Sequence, residues 1–154
     1  MAGSYSGDSN ISMENNEAMN TEDLTGSCLC GAVRYTATGE AVRFYHCHCS
    51  RCRKASGTGH ASNLFVKGSL AVLRGEDQIV SYKVPEAERF TTTFCRICGS
   101  RLPRFIEKIG MVFIPAGSLD VEPPITPQAR VFTGSRTAWS CDATALPEFS
   151  DYPA

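Results

Sequence analysis

The amino-acid sequence predicts a mainly β protein, and two observations carry that prediction. From Gly26 onward, short runs typical of strands are separated by Gly and Pro, the residues that form turns between them. No segment shows ten or more residues of helical period. The predicted strands cover residues 32–38, 42–47, 60–66, 69–75, 78–84, 89–95, 111–117 and 129–132.

Alternation within these runs indicates strands with one buried face. Val33 and Tyr35, for example, alternate with Arg34 and Thr36. Because successive side chains of a strand point to opposite faces, this order places the apolar pair toward a core. The one helix predicted inside the domain is a turn or two over Ser50–Ser56.

The N-terminal segment differs in composition from the rest of the chain. Residues 1–24 are rich in Ser, Asn, Gly and Glu, contain no Phe or Trp, and show no apolar period. Such a segment cannot bury enough apolar surface to offset the entropy lost on ordering. We therefore expect a disordered acidic tail over residues 1–24 and one domain over residues 25–154.

Composition and charge exclude some classes of protein. With 42% hydrophobic and 20% charged residues, the chain has the balance of a soluble globular protein. No apolar run approaches the roughly 18 residues that cross a bilayer, and the N-terminus lacks the pattern of a secretory signal. We expect a cytoplasmic protein with no membrane partner.

The net charge of −1 is unevenly distributed. Five acidic residues and no Lys or Arg lie in residues 1–24, which leaves 15 basic and 11 acidic residues from Thr25 onward. This mild excess could attract a small anion. It is far below the clustered basic surface of a nucleic-acid binder, so we expect no nucleic-acid partner.

Cysteine is the most informative residue type. Seven of the eight cysteines fall into three tight groups: Cys28 and Cys30, then Cys47, Cys49 and Cys52, then Cys95 and Cys98. Without an export signal the thiols are expected to stay reduced, and a chain of this length needs no disulfides to fold. Metal binding is therefore the favoured interpretation, with the isolated Cys141 a bystander.

The seven clustered cysteines divide as four plus three. A structural zinc takes four protein ligands, whereas a catalytic zinc typically takes three and keeps a position for water or substrate. The pairs Cys28/Cys30 and Cys95/Cys98 lie at strand ends far apart in sequence, so a shared metal would tie those strands together. Cys47, Cys49 and Cys52 then form a second site with an open fourth position. Iron could occupy a four-thiolate site, but zinc is the default for a redox-inactive one.

Several residues near the second group are candidates for other roles. At a strand period of two, His46 and His48 face away from Cys47 and Cys49, which favours hydrogen bonding over coordination. His60 is expected to be structural. A charge run beside a short helix, here Arg51, Arg53 and Lys54, is usually a solvated face, although these side chains could also bind a substrate carboxylate.

Four motifs appear in the order found in a known family: GSCLCGAVRY at 26–35, HCHCSRCRKASG at 46–57, FCRICGSRL at 94–102 and PAGSLD at 115–120. By these motifs the sequence resembles the glutathione-dependent formaldehyde-activating enzyme (GFA) family, also called the centromere protein V domain family. The resemblance covers about Thr25 to Trp139. It implies a tent-like fold of several small antiparallel sheets, with a structural zinc on Cys28, Cys30, Cys95 and Cys98 and a catalytic zinc on Cys47, Cys49 and Cys52.

The resemblance also implies a reaction, the condensation of formaldehyde with glutathione to S-hydroxymethylglutathione, which is a carbon–sulfur lyase activity. The three-thiolate zinc would receive the glutathione sulfur or polarise the carbonyl oxygen. His48 is the candidate proton shuttle, and Arg51, Arg53 and Lys54 are candidates to contact the glutathione carboxylates.

Two other interpretations remain open from the sequence. One is a non-enzymatic binding module in which only the four-cysteine zinc is filled, as the centromere-associated relatives suggest. The other is a zinc-handling or redox-sensing protein with an exchangeable second metal. The presence of Cys47, Cys49 and Cys52 together favours the enzyme.

Overall fold

The computed structural model describes residues 22–140 and 145–153, which contain two sheets, one short α-helix and four single-turn 3-10 helices. In chain order the elements are β1 (Glu22–Ser27), β2 (Arg34–Cys47), α1 (Ser50–Ser56), β3 (Ala61–Arg74), β4 (Ile79–Lys83), β5 (Thr91–Cys95), β6 (Arg104–Ile106), β7 (Met111–Pro115) and β8 (Ala129–Val131). The predicted mainly β fold of antiparallel sheets and the predicted helix are confirmed. None of the helices in these residues is long and apolar enough to span a membrane.

The long pair β2 and β3 is the centre of the larger sheet. The sheet has the order β1-β2-β3-β7-β6 with antiparallel neighbours, and β8 adds a short parallel pairing to the end of β2. Cys47 at the end of β2 lies opposite Ala61 at the start of β3. The connection that carries α1, residues 48–60, therefore sits at this end of the sheet. Strands β4 and β5 form the separate two-stranded sheet.

Strands β2 and β3 each join two runs that the sequence predicts as separate strands. Gly39 and Gly68 interrupt those runs and resemble turn signals, but the two residues face each other across the β2–β3 pair. A Cβ atom on either glycine would run into the backbone of the opposite strand. These glycines therefore permit close approach of two backbones rather than a turn.

The start of the domain needs correction. Strand β1 begins at Glu22 and pairs with β2, and Leu24 is only 1% exposed in the core. Residues 22–24, predicted to be tail, therefore belong to the sheet. The rest of the predicted tail and Cys141 lie outside the described residues.

The hydrophobic core has a main cluster and a smaller one. The main cluster packs side chains from β1, β2, β3 and β7 together with Leu102, and it also contains Cys28 and Cys95. Burial of each large apolar side chain contributes roughly 1.5–3 kcal/mol to folding. Cys47, Cys52 and Ala61 form the smaller cluster, with Cys49, Phe90 and Val131 packed against it. The two groups of thiols thus lie in different parts of the core.

Candidate metal centres

The first candidate centre gathers four thiols from two tight turns. The Sγ atoms of Cys28, Cys30, Cys95 and Cys98 all lie within 4.8 Å of one another. Gly31 and Gly99 each adopt a left-handed conformation, with φ of 75° and 74°. Their N–H groups donate to the carbonyls of Cys28 and Cys95 and so close the two turns. Glycine is favoured here because a side chain would strain the left-handed backbone.

Hydrogen bonds hold two of the four sulfurs, those of Cys28 and Cys98, in place. The Val33 N–H donates to Cys28 Sγ at 3.3 Å, and Cys98 Sγ lies at hydrogen-bond distance from Ser100 Oγ, 3.2 Å. Ser100 Oγ also accepts from the Leu29 N–H at 2.9 Å, which ties one turn to the other. Hydrogen bonding with the side chain and backbone of Ser100 lowers the pKa of Cys98 to about 5. A set of four thiols with one held as thiolate fits a thiophilic metal ion.

The second candidate centre is built around the start of α1. Cys47, Cys49 and Cys52 also have their Sγ atoms within 4.8 Å of one another. Cys49 is the N-cap of α1, and its sulfur accepts from the Cys52 N–H at 3.3 Å. At the other end Gly57, with φ of 71°, donates its N–H to the Arg53 carbonyl and ends the helix. One helical turn thus brings Cys52 back toward the sulfurs of Cys47 and Cys49.

The environment favours a thiolate in this cluster. Hydrogen bonding with Cys52 lowers the pKa of Cys47 to about 6, and the same contact raises the pKa of Cys52. The Asn63 side-chain N–H donates to Cys52 Sγ at 3.7 Å. Asn63 is 7% exposed on β3, and sequence reasoning missed it because only the pairing of β2 with β3 brings it beside the thiols.

A cavity of about 560 Å³ gives access to the three thiols. Its wall includes all three cysteines together with Arg51, Arg89, Phe90 and Phe132. Volumes of this size are usual for small-ligand sites. Sequence reasoning missed Arg89, Phe90 and Phe132, which come from segments distant in sequence. A larger cavity of about 910 Å³ borders Cys28, His60, Ala61 and Arg101 but none of the three thiols.

The three predicted cationic residues have different surroundings. Arg51 is exposed and borders the smaller cavity. The Arg53 Nε–H donates to the backbone carbonyl of His48 at 3.3 Å, which holds the start of the helix against the end of β2. Lys54 is exposed in the last turn of α1 and does not border the cavity. Of the three, Arg51 alone borders the cavity beside the thiols.

The three histidines of the chain lie against one another, outside the three-thiol group. The rings of His46 and His60 stack with centroids 4.0 Å apart, and the His48 and His60 centroids are 5.3 Å apart. Neither His46 nor His48 belongs to the three-thiol group. His48 is 2% exposed, and neither of its ring nitrogens has a hydrogen-bond partner in the described residues. Burial, with the charges of Arg130 and His48, lowers the pKa of His46.

Comparison with known proteins gives consistent matches. A family model described as "Glutathione-dependent formaldehyde-activating enzyme" matches residues 23–135. A protein of Halomonas elongata named "Putative glutathione-dependent formaldehyde-activating enzyme" is 35% identical over 115 residues, which cover 68% of this chain and 71% of that protein. A crystal structure of a Rhodobacter sphaeroides protein has a TM-score of 0.51 at 22% identity, over 70% of this chain and 99% of that chain. That last likeness supports the fold alone.

Proposed function

Because the chain belongs to the glutathione-dependent formaldehyde-activating enzyme family, we propose that it joins formaldehyde to a small thiol such as glutathione. The reaction would be that of a zinc-dependent carbon–sulfur lyase forming S-hydroxymethylglutathione. The observation that carries this proposal is the second centre, where the described residues bring three thiols together and no fourth Cys, His, Asp or Glu joins them. These thiols border a cavity of suitable size for a ligand.

We assign different roles to the two centres. The four thiols of the first centre satisfy a tetrahedral zinc, and two of them, Cys28 and Cys95, belong to the main core. This supports a structural role. The three thiols of the second centre belong to the smaller cluster and are open to a cavity, which supports a catalytic role. Within the described residues, the cysteines of both centres form no disulfides, which suits a reducing compartment. We therefore propose that the protein works in the cytoplasm.

The chemistry needs a nucleophilic sulfur and a proton for the carbonyl oxygen. The substrate thiol loses its proton, its sulfur bonds to the formaldehyde carbon, and the former carbonyl oxygen takes up a proton to give a hydroxymethyl group. Zinc held by Cys47, Cys49 and Cys52 would supply a position for the substrate thiol and would lower the pKa of that thiol. Asn63 holds Cys52 in place, while Phe90 and Phe132 form an apolar wall beside the sulfurs.

Arg51 and His48 have separate proposed roles. Arg51, at the cavity wall, would bind a carboxylate of glutathione; the same role for Arg53 and Lys54 stays a prediction, with less support from their positions. A proton-shuttle role for His48 also stays a prediction. The His48 ring is buried, but the neighbouring His60 borders the larger cavity and would give it a path to solvent.

Nuclear magnetic resonance exchange spectroscopy tests the proposed activity directly. It follows the interconversion of formaldehyde and glutathione with their adduct, with wild type compared with Cys49→Ser and Arg51→Gln. We expect acceleration by wild type, background rates with Cys49→Ser, and a raised KM for glutathione with Arg51→Gln. Equal background rates for wild type and Cys49→Ser would contradict the proposal and leave the binding module as the better interpretation.

A further inference from the structure

Arg101 lies on the same side of the larger sheet as the second centre. Its guanidinium carbon is 5.7 Å from the centre of the Phe113 ring, and that ring contacts Phe65 on β3. Asn63, two residues before Phe65, shares its face of the strand and donates to Cys52 Sγ. The chain of contacts from Arg101 thus leads across one sheet face to Cys52 of the second centre.

Ala61 gives a second, shorter connection. It packs with Cys47 and Cys52 in the smaller core cluster, and with Arg101 it also borders the larger cavity. Arg101 therefore borders a different cavity from Arg51, which lines the smaller one. The backbone of Arg101 is fixed by its bridge to Phe94, directly after the turn that carries Cys98.

Arg101 forms no ion pair with a carboxylate in the described residues. The ion pairs within those residues join Glu88 to Arg89 and Glu88 to Lys108. The Nε atom of Arg101 is buried and has no hydrogen-bond partner in the same residues. Burial lowers the pKa of Arg101, and the negative charges of Cys52, Cys47 and Cys49 oppose that shift. Arginine keeps its charge in proteins, so the three sulfurs, once ionised as metal ligands, are the anions that would offset it.

We propose that Arg101 is the counter-charge of the three-thiol site, a positioning residue that stabilises the negative charge added when a substrate thiolate binds there. This inference rests on the proposed function. Three thiolates and one zinc ion carry a formal charge of −1, and a fourth thiolate would make it −2. A fixed positive charge in a partly buried site is weakly screened and favours that addition.

Arg104 is a matched control for Arg101. It is also half-buried, and its Nε atom is also buried without a partner in the described residues. Its lowered pKa comes from burial and from Arg101, with no contribution from the thiols. Replacing either arginine by glutamine removes one partly buried positive charge, but only at position 101 does that charge act on the three sulfurs.

The test uses the full chain with zinc in the first centre and Co²⁺ in the second. Visible absorption of the cobalt site follows titration with glutathione and with 2-mercaptoethanol, which has no carboxylate. We expect Arg101→Gln to raise the half-saturating concentration of both thiols roughly ten-fold, since close charges in a partly buried site interact strongly. Arg101→Lys should recover most of the affinity, and Arg104→Gln should resemble wild type. If Arg101→Gln does not fold, Arg101→Met takes its place because it keeps packing on Phe113.

Two results would overturn the inference. A loss confined to glutathione would mean that Arg101 binds the substrate carboxylate instead. An equal loss with Arg104→Gln would mean that any charge removed from this face weakens binding. Thiol binding is measured without formaldehyde, so the two proposals can fail separately. If the thiol affinities change as expected but the wild type does not accelerate the exchange of formaldehyde and glutathione with their adduct, the proposed function alone is wrong. If the wild type accelerates the exchange but Arg101→Gln binds both thiols as tightly as wild type, the role of Arg101 alone is wrong.

Discussion

Cys30 and Cys95 are 65 residues apart in the chain, yet their Sγ atoms lie 3.9 Å apart. This contact brings the turn after β1 against the turn after β5, although β1 and β5 belong to different sheets. Cys28 and Cys95 are also buried in the main core. A metal shared by these thiols would therefore connect the two sheets through the core.

Replacing Cys95 by Ser should unfold the domain. A structural zinc contributes an apparent 10–16 kcal/mol of binding energy to folding, comparable with or larger than the whole stability of a typical domain. Circular dichroism and size-exclusion chromatography would report the loss of folded protein. The matched control is Cys49→Ser, in which the serine hydroxyl can still cap α1, and this variant should stay folded. A native-like Cys95→Ser protein would refute the structural role.

Chelation should remove the two metals in separate steps. The second centre contributes three thiols beside an open cavity, so its metal should leave first. We expect one equivalent of zinc to be released by mild chelation while the β-sheet signal in circular dichroism is kept, and the second equivalent to leave with unfolding. Loss of the fold together with the first equivalent would contradict the division into structural and catalytic sites.

Asn63→Leu should weaken metal binding at the second centre by about 10–100-fold, the usual cost of losing a group that orients a metal ligand. The leucine cannot donate to Cys52 Sγ. Competition with a chromophoric chelator would measure this affinity. Thr93→Val is the control, because Thr93 is also buried but its hydroxyl bonds Ser81 in the smaller sheet. Equal metal affinities in Asn63→Leu and wild type would show that this contact does not support the site.

Phe132 has a strained backbone, and its side chain lines the smaller cavity beside the three thiols. Its φ of 54° is left-handed, which costs a non-glycine residue roughly 1–2 kcal/mol. Phe132→Gly and Phe132→Ala both remove the ring and should weaken thiol binding to the cobalt-loaded site to a similar extent. In thermal unfolding, however, the glycine variant should be the more stable of the two by up to about 1 kcal/mol. Unchanged thiol affinity in both variants would exclude the ring from the ligand site.

The sequence by itself determined the features that depend on residues close together in the chain. Cys95 and Cys98 followed by Gly99 specify a tight turn, because a thiol pair and a left-handed glycine form a local structure. Cys49 and Cys52 are three residues apart, so one turn of helix brings them together. The division of seven cysteines into four and three also needed only spacing and ligand number.

Tertiary structure alone decided which distant residues join these local units. Gly39 and Gly68 resemble turn residues until the register of β2 and β3 places them face to face. The pairing of β2 with β3 brings Asn63 to Cys52, and packing on Phe113 places Arg101 on the same face of the sheet. A one-residue change of register would turn Asn63 to the other face of the sheet. Strand register depends on the burial of one whole sheet face, and no short stretch of sequence contains that information.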